Sequence, residues 1–273
     1  MDFDTMLQDV ELGLLSHGSR MRRKRAASYL STKMDIWGVA VNQLRSVAKS
    51  LYRRLRDEAP SDVVDLAQML VDTNVLEVRQ VAYEMLALHK RAFPELKTRR
   101  VESLGQGNDN WATVDSFSVL VSGPAWRRKQ ITDKAVMRWA ESKNRWWRRT
   151  ALVSTVALNR PSRGGSGDVP RTLKICSVLI EDRDEMVVKA LSWALRALAE
   201  SHPAEARAFV AEHENELAPR VVREVKNKLR LGRKTPKRTR VAAKKKPAKK
   251  KKPARKKKPA RKKKPARKKK PAK

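Results

Sequence analysis

The sequence predicts an all-α protein, a solenoid of about a dozen helices stacked in pairs and followed by a disordered basic tail. Three observations predict it. Apolar residues recur at helical spacing through residues 1–232. No convincing stretch alternates with the two-residue period of a strand. From residue 233 onward the chain is almost entirely Lys, Arg, Pro and Ala.

Taken in order, the start Met1-Asp2-Phe3-Asp4 is acidic and lacks a basic segment followed by an apolar one, so no secretory signal is expected. Val63, Leu66, Ala67, Leu70 and Val71 share one helical face, and Val78, Val81, Ala82, Met85 and Leu86 share the next. Asn108-Asp109-Asn110 then offers helix N-caps, and Trp111 and Asp115 follow on one face, one turn apart. Further helical faces run through Val136, Trp139 and Ala140, through Ala151, Leu152 and Val156, and through Val187, Ala190, Leu191, Ala194 and Leu198. Breakers at Gly18, Pro60, Pro94, Gly105 to Gly107, Gly123-Pro124, Pro161 to Pro170, Pro203 and Pro219 separate these segments. Helix pairs at a faint period of roughly 40 residues are what HEAT-like repeats show, and the concave face of such a stack, lined with cations, can follow a duplex.

The stretch Asn159 to Pro170 is Gly-rich but follows a helix and lacks a Gly-Lys-Ser/Thr ending, so it reads as a flexible loop and not as a phosphate-binding one. Cys176 lies in an apolar segment and reads as core. The four histidines, at 17, 89, 202 and 213, have no ligand spacing, so no metal site is expected. No uncharged run approaches the length of a membrane span. A reduced, cytoplasmic setting fits these features.

The formal net charge is +35, and its distribution is uneven. Residues 233–273 hold 25 of the 64 Lys and Arg and no acid, which leaves 39 bases against 29 acids, a net +10, in residues 1–232. A moderately basic body (1–232) is thus joined to an extremely basic tail (233–273). Prolines at 247, 253, 259, 265 and 271 forbid a continuous helix in the tail, and its like charges repel. Such a segment would neutralise phosphates and release counterions, a salt-sensitive and sequence-blind tether to DNA. It is similar to the basic tails of linker histones and bacterial histone-like proteins, and a nucleoid-associated location is expected.

Four features of the body concern chemistry: Trp111 with Asp115, the run Asn144-Arg145-Trp146-Trp147-Arg148-Arg149-Thr150, the segment Lys189 to Arg196 with Trp193, and Asn215-Glu216-Leu217-Ala218-Pro219. Singly, each reads as structure: a helical Trp usually packs, arginines stack on indoles, and a lone Asp caps or faces solvent. Together they read as Trp-x-x-x-Asp, Trp-x-x-Arg (Trp146 to Arg149), Lys-Ala-x-x-Trp-x-Leu-Arg and Asn-Glu-Leu-Ala-Pro. Upstream, Gly38-Val39, Leu44-Arg45 and Ala48-Lys49 join the set, with Asn42 where a proline is common. In this order the motifs resemble the bacterial DNA alkylation-repair glycosylases of the AlkD type, over about residues 2–232.

The resemblance implies a HEAT-like solenoid acting on alkylated duplex DNA without extruding the base. It implies Asp115 as the catalytic carboxylate and Trp111 and Trp193 as indoles against the sugar. Arg149 is implied as the phosphate contact, favoured over Arg148 by the match of the following Thr-Ala-Leu. Lys189, Arg196 and Arg45, in the matching segments, are expected at the DNA. The chemistry agrees with so small a set. A purine alkylated at N3 or N7 is cationic and leaves as a neutral base, so a second carboxylate acting as general acid is not needed. One carboxylate can stabilise an oxocarbenium-like sugar and position a water, and indole faces favour the same cation. The expectation is a monofunctional, monomeric glycosylase with neither metal nor small-molecule cofactor. The alternatives are a non-catalytic helical-repeat protein binding branched or distorted DNA, a lysine-nucleophile enzyme that also cuts the strand, and a chromatin-compacting protein whose body is a scaffold.

Overall fold

A computed structural model describes residues 2–236. Most of the tail, expected to be disordered, lies outside the described residues. The described chain is helical, with fourteen α-helices and one isolated bridge, Asp35 to Val75, in place of any strand. In order these are α1 (Phe3–Leu15), α2 (Arg20–Ala27), α3 (Val41–Arg54), α4 (Pro60–Asp72), α5 (Leu76–Leu88), α6 (Thr98–Gly105) and α7 (Trp111–Phe117). Then come α8 (Gly123–Arg127), α9 (Asp133–Ala140), α10 (Arg145–Asn159), α11 (Val169–Val178), α12 (Glu185–Ser201), α13 (Pro203–Glu212) and α14 (Pro219–Leu231).

The helices form two rows. In the front row α3 packs on α5, α5 on α7, α7 and α8 on α10, α10 on α12, and α12 on α14. Behind it α1 backs α3, α4 backs α5, α9 backs α10, α11 backs α12 and α13 backs α14. Front helices begin at 41, 76, 111, 145, 185 and 219, so the steps are 35, 35, 34, 40 and 34 residues. This is the helical-repeat architecture, with one longer step that contains the Asn159–Pro170 loop. The apolar faces read from the sequence are the ones buried: Val63, Leu66, Leu70, Val78, Val81, Met85, Leu86, Val187, Leu191 and Leu198 are each sealed from solvent. Cys176 is fully buried, and burial pushes its thiol pKa up, as for an inert core residue.

Several breakers act as helix starts. Pro60, Pro203 and Pro219 each occupy the first turn of a helix, where a missing N–H costs nothing. Gly123-Pro124, expected to break the chain, does not. Residues 111–127 run as one continuous helix because Ser118–Ser122 widens into a π turn, with Gly123 N–H donating to Ser118 O five residues back. The wider turn gives the Pro124 ring room against the preceding carbonyls. Gly123 is required there by close approach: a Cβ would lie 2.6 Å from Ser154 O on α10.

Two buried charges on α5 fix the loops that flank the front row. Glu77 accepts three backbone N–H bonds, from Trp37 (3.0 Å), Gly38 (2.7 Å) and Val39 (3.2 Å). Arg79 donates to Val71 O, to Gln106 O and to the Asn108 side chain. Tyr83 adds a bond to Leu104 O at 2.8 Å. The segment entering α7 is therefore clamped by α5 before its first helical turn.

Candidate functional site

The start of α7 is built residue by residue. Asn110 caps it, its Oδ1 accepting from Ala112 N (3.0 Å) and Thr113 N (3.1 Å). Asp109 accepts from Thr32 Oγ1 and Lys33 N, tying the cap to the segment before α3. Gln80 on α5 donates to Ala112 O at 3.3 Å. These bonds set the rotation of α7, and that rotation turns Asp115 toward α10 and leaves Trp111 partly exposed at the helix start. The Trp111 ring stacks on Tyr29, with centroids 6.2 Å apart and planes 26° apart.

Asp115 meets Arg149 of α10 in a two-pronged pair, Nε to Oδ1 and Nη2 to Oδ2, each at 2.8 Å. Arg149 also donates to Met186 O on α12, so one guanidinium joins three consecutive front-row elements. The arginine is nearly sealed and the Asp115 side chain keeps 18% of its exposure, enough to reach the cavity it lines. Burial raises the Asp115 pKa above its ordinary value, and the charge and hydrogen bonds of Arg149 oppose that rise.

Two cavities open on the front row, separated by Trp193 of α12, which lines both. The first, about 240 Å³, is lined by Asp115, Ser116, Arg45, Gln80, Glu84, Arg160 and Arg163 over an apolar floor of Val41, Leu44, Val119, Leu120 and Val156. The second, about 400 Å³, is lined by Trp111, Arg149, Met186, Lys189, Arg196, Arg220, Glu224 and Lys234. In the second, Glu224 is the buried counter-charge. Burial works against its ionisation, but hydrogen bonds from Ser192 (2.7 Å) and Arg220 (3.0 Å), with Arg196 at 3.8 Å, together hold its pKa below the usual value. Burial also lowers the Arg196 pKa, offset in part by Glu224.

Of the residues singled out from the sequence, seven line these two cavities: Trp111, Asp115, Trp193, Arg149, Lys189, Arg196 and Arg45. Lys189 pairs with Glu185 at 2.7 Å and Arg45 with Glu84 at 2.9 Å, both on the surface. Arg148 is not among them. It points away along α10, bonded to Asp182 (2.7 Å) and to the carbonyls of Ser142 and Lys143. Tyr29, Gln80, Arg160 and Arg163 join the site from segments that carry no motif, and Arg220 from the residue just after the Asn-Glu-Leu-Ala-Pro run. For Arg220 the signal was its position in the first turn of the final basic helix. For the others only the packing reveals it.

Among the described residues no group of His, Cys, Asp and Glu could hold a metal ion, and no helix is long and apolar enough to cross a membrane. The arrangement can present one carboxylate, two indoles and a ring of cations to a polyanion. The family model described as DNA alkylation repair enzyme matches residues 10–229, from within α1 to within α14. None of the curated proteins compared with the chain matches it.

Proposed function

The chain belongs to the DNA alkylation repair enzyme family, and from that premise we propose that it hydrolyses the N-glycosidic bond of N3- or N7-alkylated purines in duplex DNA. The observation that carries the reading is the position of Asp115: a carboxylate held by Arg149, open to a cavity bounded by Trp193, with Trp111 across the second cavity. The lesion's positive charge makes the base its own leaving group. The electrons of the C1′–N bond depart with the base, which leaves neutral, and the sugar becomes oxocarbenium-like.

Asp115 stabilises that cation by charge and accepts the proton of the attacking water. The faces of Trp111 and Trp193 add electron density toward the same charge. Arg149 keeps Asp115 ionised and aimed, and its remaining N–H groups suit a phosphate beside the lesion. Lys189, Arg196 and Arg220 hold the backbone beyond Trp193, which positions the duplex without reading sequence. The product is an abasic site. The site acts as a monomer, without metal or small-molecule cofactor, and residues 233–273 serve as a sequence-blind tether to the same DNA.

The test is release of 3-methyladenine or 7-methylguanine from methylated duplex DNA. Wild-type chain should release base, and Asp115→Asn should bind the same DNA yet release it about 10²–10⁴-fold more slowly. Equal rates would show the catalytic assignment of Asp115 to be wrong, and no release by the wild-type chain would return it to the non-catalytic reading, a binder of distorted DNA. Removing residues 233–273 should flatten the salt dependence of binding while single-turnover release at saturating protein persists; loss of release would sink the tether assignment.

A further inference from the structure

The Gly-rich stretch after α10, expected to be a flexible loop, is instead a built element. Asn159, fully buried at the end of α10, donates to Thr155 O (2.9 Å) and Thr172 Oγ1 (2.8 Å) and accepts from Asp168 N (3.0 Å). It thereby joins the loop's two ends to α11. Within the loop Gly165 N–H donates to Arg160 O and Gly167 N–H to Leu158 O, both at 3.0 Å. From α8, Arg127 donates to Ala157 O and to Arg163 O. A Cβ at Gly165 would lie 2.4 Å from Leu158 O, so the close packing of loop on helix requires glycine there. The extra residues of the 40-residue step are folded back onto the front row.

What this element presents is charge. Arg160 and Arg163 line the same cavity as Asp115 and Trp193. Arg163 also lines an adjoining cavity of about 200 Å³ with Arg127, Arg128, Val119 and Leu120. Arg160 meets Glu200 at 3.4 Å, while among the described residues no carboxylate lies within 4.0 Å of the exposed Arg163 guanidinium. Arg127 is half-buried beside Arg128, and burial together with that like charge lowers its pKa. Three arginines, Arg127, Arg128 and Arg163, thus line one cavity whose lining holds no carboxylate, and a polyanion would relieve their repulsion.

We propose that the 160–168 loop is a second phosphate clamp, with Arg163 gripping the lesion-bearing strand on the opposite side of Trp193 from Lys189, Arg196 and Arg220, while Arg160 shares a cavity with Arg196 and Trp193 between the two grips. The proposal rests on the glycosylase reading for what lies between the two grips. The nucleotide whose sugar faces Asp115 is then bracketed by phosphates held from both sides, so translation along the front row is blocked in both directions. A rigid loop suits this work because a clamp that orders only on binding would lose affinity to the ordering entropy.

The test is a proximity crosslink in the full chain. Cys176 is fully buried, so Arg163→Cys introduces the accessible thiol, and Arg207→Cys on α13 of the back row is the control. The probe is a duplex with an abasic-site analogue and a disulfide-tethered phosphate walked along each strand. The Arg163→Cys chain should give a yield peak at phosphates flanking the analogue on its own strand, about tenfold above the control, the effect of a raised effective concentration. Flat yields matching the control overturn the clamp. In parallel, Arg163→Gln should raise the protein concentration for half-maximal DNA binding about fivefold, and Arg163→Lys should recover most of it. A wild-type chain that releases no base while the crosslink peak persists sinks the glycosylase reading and leaves the clamp standing.

Discussion

The two cavities beside Trp193 differ in chemistry. On one side the floor is aliphatic, from Val41, Leu44, Val119, Leu120 and Val156, and the carboxylate of Asp115 stands at its wall. On the other the aliphatic contribution is Met186 alone, among Lys189, Arg196, Arg220 and Lys234. An apolar surround strengthens the field of a single carboxylate, which suits charge developing on a sugar. A wet cationic surround suits phosphates, whose contacts give grip and salt sensitivity. In the proposed reading the chemistry sits in the first cavity, with Arg163 on its lining as one phosphate grip and the second cavity as the other, and Arg149 links the two: it lines the second cavity while its guanidinium holds the carboxylate of the first.

The strongest way to break this division is to cut that link. Arg149→Ala leaves Asp115 buried without its counter-charge and should cost about 3–5 kcal/mol of stability, read by urea unfolding. Base release should collapse with it, and an unchanged unfolding midpoint would show that the pair carries no structural weight. A smaller effect is expected from pH. Because the pKa of Asp115 is raised and the carboxylate is the proposed working form, single-turnover release should fall as pH drops, with a midpoint above the ordinary 3.8. A midpoint at or below that value would mean that Arg149 outweighs burial. The smallest change should come from the neighbouring arginine. Arg148→Gln should leave DNA affinity within about twofold, as expected of a cation outside the phosphate path. A large loss of affinity would move the DNA to the other side of α10.

Much of the fold was legible because burial follows helical periodicity. Each apolar face assigned from spacing, from Val63–Val71 to Val187–Leu198, is the face that packs. The repeat was faint because its register lies in where the front helices begin, not in shared residues, and the 40-residue step interrupts it. The preference for Arg149 over Arg148 rests on the resemblance of the following Thr-Ala-Leu, and in the structure Arg149 begins the run to Asn159 in which every residue of α10 is buried. The Asn159–Pro170 loop could not be read from periodicity. Its order depends on Arg127, about 30 residues upstream in sequence, and on glycines whose role is to let backbones touch. Composition alone cannot distinguish such glycines from those of a mobile linker. Gly123-Pro124 misled for a related reason, since a π turn absorbs the proline without ending the helix.

A row in which each helix leans chiefly on its neighbours frays from its ends inward. Asp115 and Arg149 lie on the third and fourth of the six front-row positions, farthest from either end. At one end α3 opens the row, with α1 behind it. At the other, α14 carries Arg220 of the cationic cavity. Mild heat or denaturant should therefore loosen the contribution of Arg220 to the proposed grip before it disturbs the Asp115–Arg149 pair, so that affinity weakens at conditions where the proposed chemistry is still intact.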